Sequence, residues 1–291
     1  MRVTIDDNSG FCFGVVRAIE EAEKALGELG NVACLGDIVH NRIEVQRLER
    51  LGLMTVTHGE MSALGGQTLF IRAHGEPPMT YRRAEELGIR IIDATCPVVA
   101  RLQRRLRDAY EKMRQVNGRV ILLGKRGHAE VIGLTGQVSD DVTVVERVEE
   151  LDAIAFDRPI YFLSQTTQSI ELFNKMADVI TERCGRENVT IDDTVCRRVA
   201  GREQKLIAFS KSVDVVLFVC GRKSSNGRVL FEVCRKANSR TYCIEEASEI
   251  EPKWFEGADS IGICGATSTP RWLMEEVASA CEKLNDQTPT I

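Results

Sequence analysis

Asp93-Ala94-Thr95-Cys96-Pro97 is the stretch around which this chain is organised. A short apolar run at 89–92 leads into it, and apolar residues then recur at helical spacing over 99–113. Pro97 suits the first turn of a helix, where its missing N–H costs nothing, so Cys96 is predicted near the N-cap. Because the positive end of a helix dipole stabilises a thiolate, the form of cysteine that binds metals, the stretch predicts a metal ligand.

The same construction occurs twice more. Asp193-Thr194-Val195-Cys196 follows a predicted strand at 189–191 and precedes a charged helical run. Gly10-Phe11-Cys12-Phe13-Gly14 follows a predicted strand at 3–5 and precedes a predicted helix that reaches Leu29. For any one of these cysteines, burial in the core is a serious alternative. Three matching contexts favour a shared role.

The composition excludes several classes of protein. The chain has 291 residues, of which 43% are hydrophobic and 28% charged, as in a globular protein of two or three domains. No apolar run approaches the ~18 residues that span a bilayer, and no secretory signal is present, so we expect a cytoplasmic protein without a membrane partner. A net charge of −5 argues against nucleic-acid binding, which needs clustered cations.

Ten cysteines are many for a chain without an export signal. Disulfides are disfavoured in a reducing cytosol, so metal binding or catalysis is the better interpretation for some of them. Because no Cys-x-x-Cys pair occurs, a structural zinc site is disfavoured. Four further cysteines lie in apolar patterns and are expected to be small buried hydrophobic residues: Cys220, Cys234, Cys243 and Cys281.

Short apolar runs alternate with longer amphipathic ones, which predicts an α/β protein built of two or three units around parallel sheets. Besides 3–5, the predicted strands are 32–35, 69–72, 89–92, 120–123, 143–145, 160–163, 189–191, 215–219, 241–244 and 260–264. The residues after Leu284 are expected to form a loose tail.

Six of the predicted strands run into polar loops, at 36–41, 72–75, 124–130, 164–168, 221–227 and 265–270. Ligands of α/β sheets bind at the carboxyl ends of strands, where such loops offer N–H groups and hydroxyls to phosphate. Three of the four histidines stand in these loops, and each third of the chain supplies two loops and one cysteine. Three cysteines fit a 4Fe–4S cluster with one open iron better than a closed four-ligand site.

The motifs that surround these residues resemble, in order, those of the 4-hydroxy-3-methylbut-2-enyl diphosphate reductase family (LytB/IspH), whose members catalyse the last step of the methylerythritol phosphate route to isoprenoids. The matching segments span nearly the whole chain: 10–15 with 17–19, 38–41, 73–75, 93–97, 127–131, 165–167, 193–196 and 224–226.

The resemblance implies three α/β units in a pseudo-threefold trefoil around a central 4Fe–4S cluster. The units expected are residues 1–95, 96–192 and 193–291. By similarity, Cys12, Cys96 and Cys196 would bind three irons, and the fourth would be open to the substrate's hydroxyl oxygen.

The resemblance also implies the catalytic residues, Glu130, Thr166 and His128, and the substrate-binding residues. Glu130 and Thr166 match the pair beside the substrate's hydroxyl group, with Glu130 as the proton donor, although Glu130 taken alone is typical of a first-turn helix acid. The positions that match the diphosphate-binding residues are His40, His74, His128, Ser224, Ser225, Asn226 and Ser268; taken alone, the serine and threonine runs are typical of helix caps.

The implied reaction is reductive dehydroxylation of (E)-4-hydroxy-3-methylbut-2-enyl diphosphate to isopentenyl and dimethylallyl diphosphates. A ferredoxin or flavodoxin would supply the electrons. The chain departs from the family pattern after Cys196, where Arg197, Arg198 and Val199 replace residues that include a threonine, and in the loops that lead to Ser224 and to Pro270, from which Ser268 is counted back.

Two alternative functions retain the three cysteines. One is a non-redox 4Fe–4S enzyme that resembles quinolinate synthase and uses the open iron only as a Lewis acid. The other is a non-catalytic iron–sulfur sensor or carrier, which would give no reason for six loops suited to anions.

Overall fold

The structure, a computed structural model, describes residues 1–286, and of residues 198–200, 225, 285 and 286 it describes the backbone alone. In chain order the strands are β1 (Arg2–Ile5), β2 (Val32–Leu35), β3 (Leu53–Val56), β4 (Thr68–Ile71), β5 (Arg90–Asp93), β6 (Arg119–Leu123), β7 (Thr143–Val145), β8 (Ile160–Ser164), β9 (Val189–Ile191), β10 (Val215–Val219), β11 (Thr241–Ile244) and β12 (Ser260–Gly265). The helices are α1 (Phe13–Leu29), α2 (Arg42–Arg50), α3 (Pro78–Glu86), α4 (Pro97–Gln115), α5 (Ala129–Thr135), α6 (Ile170–Cys184), α7 (Arg197–Lys211), α8 (Ser225–Ala237) and α9 (Arg271–Asp286). Short 3-10 helices lie at His58–Leu64, Gly136–Val138, Val148–Ala153, Arg186–Asn188, Ala247–Glu249 and Pro252–Phe255.

Within the described residues, the strands form three parallel sheets of four strands each. Sheet I has the order β3-β2-β4-β5, sheet II the order β7-β6-β8-β9, and sheet III the order β11-β10-β12-β1. If the strands of each sheet are numbered 1 to 4 in chain order, with β1 counted as the fourth strand of sheet III, their spatial order is 2-1-3-4 in every sheet. The predicted fold class, α/β with three similar units, is therefore confirmed.

The first strand lies in a different sheet from the one expected. β1 pairs in parallel with β12, with Arg2 opposite Ser260 and Ile5 opposite Ile263. Residues 2–5 thus complete sheet III instead of joining the unit expected at residues 1–95. Strand periodicity predicts that 2–5 is extended, but it carries no information about a partner at the other end of the chain.

The sequence predicts every strand of the described residues except β3. This strand follows Gly52, is only four residues long and lies at the edge of sheet I, where only Leu53 is buried. Such a short, half-exposed segment has too little apolar character to be separated from a loop. Of the expected tail after Leu284, residues 285 and 286 continue α9, and residues 287–291 lie outside the described part.

Helices cover both faces of sheets II and III, as parallel strands with continuous apolar runs require. In sheet II, Leu122 and Leu163 pack with Leu106 of α4, whereas Phe162 on the other face stacks on Phe173 of α6 with ring centroids 4.9 Å apart. Sheet III has the same construction, with α9 on one face and α7 and α8 on the other. No helix in the described range is long and apolar enough to cross a membrane.

By Cα proximity the chain divides into two compact units. The first contains residues 1–19, 37–52 and those from 201 onward, and it includes sheet III. The second contains residues 20–36 and 53–200, and it includes sheets I and II. The boundaries predicted after residues 95 and 192 fall in the links that follow β5 and β9.

Candidate active site

The six polar loops follow the two central strands of each sheet. These strands are hydrogen-bonded neighbours: β2 with β4, β6 with β8, and β10 with β12. In sheets I and II the connections leave these two strands in opposite directions, which opens a crevice at their carboxyl ends. In sheet III the chain leaves β10 through α8 on one face and β12 through α9 on the other, which separates the two loops in the same way. All six loops therefore stand at the position in their sheet where α/β proteins bind ligands.

Each of the three predicted ligand cysteines follows the edge strand of a sheet (β1, β5 or β9) and directly precedes a helix (α1, α4 or α7). Each donates its backbone N–H to a carbonyl oxygen of the loop after the neighbouring strand: Cys12 to Thr267 at 3.2 Å, Cys96 to Ala73 at 3.0 Å and Cys196 to Thr166 at 2.8 Å. The accepting residues are themselves candidate site residues or their immediate neighbours. The three sheets thus present their cysteines in equivalent places.

The aspartates three residues before two of the cysteines shape the loops. Asp93 Oδ1 accepts the N–H of Thr95 at 2.8 Å, and Asp193 Oδ1 accepts the N–H of Val195 at 3.1 Å. These Asx turns direct the chain into the cysteine at the start of the helix. The repeated Asp in the sequence is explained by this turn.

Exposure separates the ten cysteines, all of which are described. Cys12, Cys96 and Cys196 are partly exposed, whereas Cys34, Cys184, Cys220, Cys234, Cys264 and Cys281 are buried. Three accessible thiols at helix starts are a donor set that fits an iron–sulfur cluster, whose irons are bound by thiolates. The prediction that Cys243 is buried is wrong: it lies on β11, an edge strand of sheet III, and is exposed.

Glu130 and Thr166 form a buried pair. Glu130 is 1% exposed in the first turn of α5, and Thr166 lies in the loop after β8. The Thr166 N–H donates to Oε1 of Glu130 at 2.7 Å, and the Thr166 hydroxyl donates to Oε2 at 2.9 Å. Burial raises the pKa of the Glu130 carboxyl to about 7, although the bonds from Thr166 oppose this increase. Glu130 can therefore exchange a proton near neutral pH.

His128 is held in one orientation by the helix that it caps. It is the N-cap residue of α5, and its Nδ1 accepts the backbone N–H of Glu130 at 3.1 Å. Because Nδ1 is the acceptor, a neutral His128 carries its proton on Nε2 and can donate it to an anion. The ring of His74 lies edge-on to the His128 ring, with centroids 5.3 Å apart. The two histidines are therefore neighbours in the second unit.

In the compact unit that contains sheet III, a buried polar network is formed by Ser224, Asn226 and Ser268. Ser224 is the N-cap of α8, and its Oγ accepts the N–H of Gly227 at 3.0 Å. The Ser268 hydroxyl donates to Ser224 Oγ at 3.1 Å, and the Thr267 hydroxyl donates to Asn226 Oδ1 at 2.9 Å. The network fixes the loop that also accepts the N–H of Cys12.

His40 directly precedes Asn41, the buried N-cap of α2, whose Oδ1 accepts the N–H of Glu44 at 3.1 Å. The loop after β10 passes so close that a Cβ on Gly221 would lie 2.4 Å from the His40 carbonyl oxygen. Only glycine permits this approach. Gly221 therefore allows the loop that leads to Ser224 to pack directly against the backbone of the His40 loop.

Two residues of the matching motifs, Gln165 and Thr194, make contacts that the sequence does not predict. Gln165 Oε1 accepts the N–H of Lys125 at 3.1 Å, which connects the loops after β6 and β8. The Thr194 hydroxyl donates to the Ser164 carbonyl at 2.6 Å and accepts the Ser164 N–H at 2.8 Å. Their presence in the motifs is the only signal for them in the sequence, because their partners, Lys125 and Ser164, are distant in the chain.

Three positions with an expected role or departure lie partly outside the description. The side chains of Ser225, Arg198 and Val199 are not among the described ones, although Ser225 begins α8. Arg197 is exposed and donates to Asp193 Oδ2 at 2.5 Å, so it turns toward the Asx turn before Cys196.

Comparison with known proteins agrees with these motifs. The model of the LytB protein family matches residues 3–282. A 4-hydroxy-3-methylbut-2-enyl diphosphate reductase from Parabacteroides distasonis is 51% identical over 98% of this chain and 99% of its own length, and one from Porphyromonas gingivalis is 50% identical over 97% and 99%.

Two solved structures resemble the whole chain. A structure described as (E)-4-hydroxy-3-methyl-but-2-enyl diphosphate reductase, the terminal enzyme of the non-mevalonate pathway, is 33% identical and covers 97% of this chain and 100% of its own, with a TM-score of 0.72. The diphosphate reductase from Plasmodium falciparum has a TM-score of 0.85 over 96% of this chain and 87% of its own, and at 23% identity it supports the fold alone. The family model and the near full-length relatives lead to one conclusion: this chain belongs to the LytB family.

Proposed function

We propose that this protein is a 4-hydroxy-3-methylbut-2-enyl diphosphate reductase. It would replace the hydroxyl group of the allylic substrate with hydrogen, consuming two electrons and two protons and releasing water together with isopentenyl or dimethylallyl diphosphate. The relatives that match nearly the full chain bear this name. The observation of this structure that carries the proposal is the buried Glu130–Thr166 pair, because loss of a hydroxyl group as water requires a proton donor.

Cys12, Cys96 and Cys196 would hold a 4Fe–4S cluster. Their support is their partial exposure, their positions before three helices and the repeated hydrogen bond from each N–H to a neighbouring site loop. When bound, such a cluster would supply electrons and a Lewis-acidic iron. The protein's own contribution is to fix the three cysteines through the backbone.

The diphosphate would be bound by the polar loops. His128 offers Nε2–H, because Nδ1 is occupied by the Glu130 N–H, and His74 lies beside it. Ser224 and Ser268 supply hydroxyls at the start of α8, where the helix dipole favours negative charge. His40, Ser225 and Asn226 complete the proposed set on the basis of their motifs.

Glu130 would deliver the proton that allows water to leave. In its neutral form Glu130 can donate from a carboxyl oxygen to Thr166 Oγ1, 2.9 Å away, and the Thr166 hydroxyl can then donate to the substrate's hydroxyl oxygen. The raised pKa keeps a large fraction of Glu130 protonated near pH 7. A carboxyl group with an ordinary pKa would be almost wholly ionised there.

A small one-electron carrier, a ferredoxin or a flavodoxin, would recharge the enzyme. This partner and the cytoplasmic location stay predictions. The non-redox alternative and the sensor alternative differ from the reductase in one measurable respect, because neither would consume electrons to form a five-carbon diphosphate.

The decisive experiment is anaerobic turnover of 4-hydroxy-3-methylbut-2-enyl diphosphate with a chemical reductant, on protein whose iron has been counted. We expect about four irons per chain and product formation that requires the reductant. Four irons without product would refute the reductase and favour the non-redox enzyme or the sensor. Protein that binds no iron would refute the cysteine assignment.

A further inference from the structure

Cys220 and Cys243 lie side by side in sheet III. Cys220 directly follows β10, and Cys243 lies on the neighbouring strand β11. The two Sγ atoms are 3.4 Å apart, and the Cys220 N–H donates to the Ile244 carbonyl at 2.9 Å. Neither thiol belongs to the proposed cluster or substrate site.

The pair has one accessible and one protected member. Cys243 is exposed at the sheet edge, whereas Cys220 is 4% exposed. The hydrogen bond between the two thiols lowers the pKa of Cys243, and the same bond together with burial raises the pKa of Cys220. Because the thiolate is the reactive form, Cys243 is the member that attacks a disulfide from solution. Once Cys243 has reacted, its hydrogen bond no longer raises the pKa of Cys220, whose sulfur lies 3.4 Å away and can resolve the product.

Cys220 also supports the substrate-binding end of α8. A Cβ on Gly227 would lie 3.0 Å from Cys220 Sγ and 3.0 Å from Ser224 Oγ, so Gly227 is packed between these two atoms. Gly221, the next residue after Cys220, is in close approach to the His40 carbonyl. Movement of Cys220 toward Cys243 would therefore disturb both the Ser224 cap and the His40 loop.

We propose that Cys220 and Cys243 are a reversible redox modification site that controls the diphosphate-binding loop. The Cys243 thiolate attacks a small disulfide such as glutathione disulfide and expels one glutathione thiolate. The Cys220 thiol then gives up its proton, attacks the mixed disulfide at Cys243 and expels the second glutathione as a thiolate. The two protein thiols are oxidised by two electrons, the reagent is reduced to two thiols, and the two thiol protons end on these products.

Bond formation changes the site because the sulfurs must come from 3.4 Å to about 2.05 Å. This draws Cys220 away from Gly227 and loosens the first turn of α8 and its Ser224 cap. The weakened loop lowers affinity for the diphosphate. Thiol reductants reverse the change.

The chain contains a matched control pair. Cys234 of α8 and Cys264 of β12 also interact through their thiols, but both are 0% exposed. A disulfide reagent cannot reach them in the folded protein. We therefore expect glutathione disulfide to form no cross-link between Cys234 and Cys264, although their thiols are close together.

The experiment incubates the iron-loaded protein anaerobically with glutathione disulfide, blocks the remaining thiols and maps the peptides by mass. We expect one cross-linked peptide that joins Cys220 to Cys243 and is lighter by two hydrogen atoms. With unchanged iron content, the KM for substrate should rise about tenfold, or 1.4 kcal/mol of binding free energy, and dithiothreitol should restore it. Cys243→Ser should abolish both effects, and Cys234→Ala should retain both.

Absence of the cross-link, or a cross-link that leaves KM and the affinity for inorganic diphosphate unchanged, would overturn the proposal. The effect on KM rests on the proposed function, but the cross-link and the diphosphate affinity do not. If the reduced protein shows no turnover, the reductase proposal is refuted. The cross-link and the affinity for inorganic diphosphate would still test the redox site.

Discussion

Glu130 combines complete burial with two hydrogen bonds from one neighbour, Thr166. Glu130→Gln keeps the size and one acceptor oxygen of the side chain but removes the acidic proton. We expect kcat to fall by about 10²–10⁴, the usual contribution of a general acid, with iron content and substrate affinity unchanged. Steady-state kinetics, iron analysis and a binding titration test this. The exposed Glu149→Gln is the control in the same unit, and normal turnover of the Glu130 variant would exclude the acid role.

The pKa of Glu130 also predicts the pH dependence. Since burial raises this pKa to about 7, the group is protonated below that pH and ionised above it. A required acid is thus lost as pH rises, and kcat should fall tenfold per pH unit above about pH 7. The measurement is kcat from pH 6 to about 9 at saturating substrate and reductant. A profile that stays flat across this range would contradict the assignment.

Among the structural elements, the Asx turns before Cys96 and Cys196 hold these cysteines at the starts of their helices. Asp93→Ala removes the acceptor for the Thr95 N–H, whereas Asp93→Asn retains a side-chain oxygen at that place. We expect the alanine variant to lose bound iron faster than the wild type, and the asparagine variant to stay close to it. Iron release to a chelator, followed by absorbance under anaerobic conditions, compares them. Equal release rates for all three proteins would show that the turn is dispensable.

The close contact between the loops after β2 and β10 depends on glycine at position 221, which has no side chain. Gly221→Ala would place a methyl group 2.4 Å from the His40 carbonyl oxygen, so the backbone of one loop must move. We expect a rise in KM for substrate of about tenfold, with little change in iron content. Gly201→Ala, where a Cβ meets no atom within 4 Å, is the control in the same unit. An unchanged KM at Gly221→Ala would separate this loop from substrate binding.

For the molecule as a whole, the proposed function predicts that Cys12, Cys96 and Cys196 act together. Serine at Cys12, Cys96 or Cys196 should each reduce bound iron well below about four per chain, because the proposed cluster depends on all three thiolates. Serine at the buried Cys34 or Cys264 should leave iron unchanged. Iron and sulfide analysis of the five variants, purified anaerobically, makes the comparison. Loss of iron from a buried-cysteine variant would mean that the ligands were chosen wrongly.

At this scale too, much of the site could be predicted from the sequence. The positions of the polar loops and of the cysteines follow from neighbouring residues in the sequence. Each polar stretch follows a strand and precedes a helix, so periodicity and capping residues are enough to place it. Glu130 is different. The sequence alone favours a helix acid, and only the contact with Thr166, across two strands of sheet II, gives the carboxyl its raised pKa.

The amino-acid pattern is enough to predict the α/β class, eleven of the twelve strands of the described residues, and the three matching cysteine contexts. These are properties of short stretches, and apolar period and turn chemistry encode them locally. Three features follow from long-range packing alone: β1 completes sheet III, Cys243 is exposed, and Cys220 lies between Cys243 and the start of α8. Strand partners and burial depend on residues distant in the chain, and no local pattern specifies them.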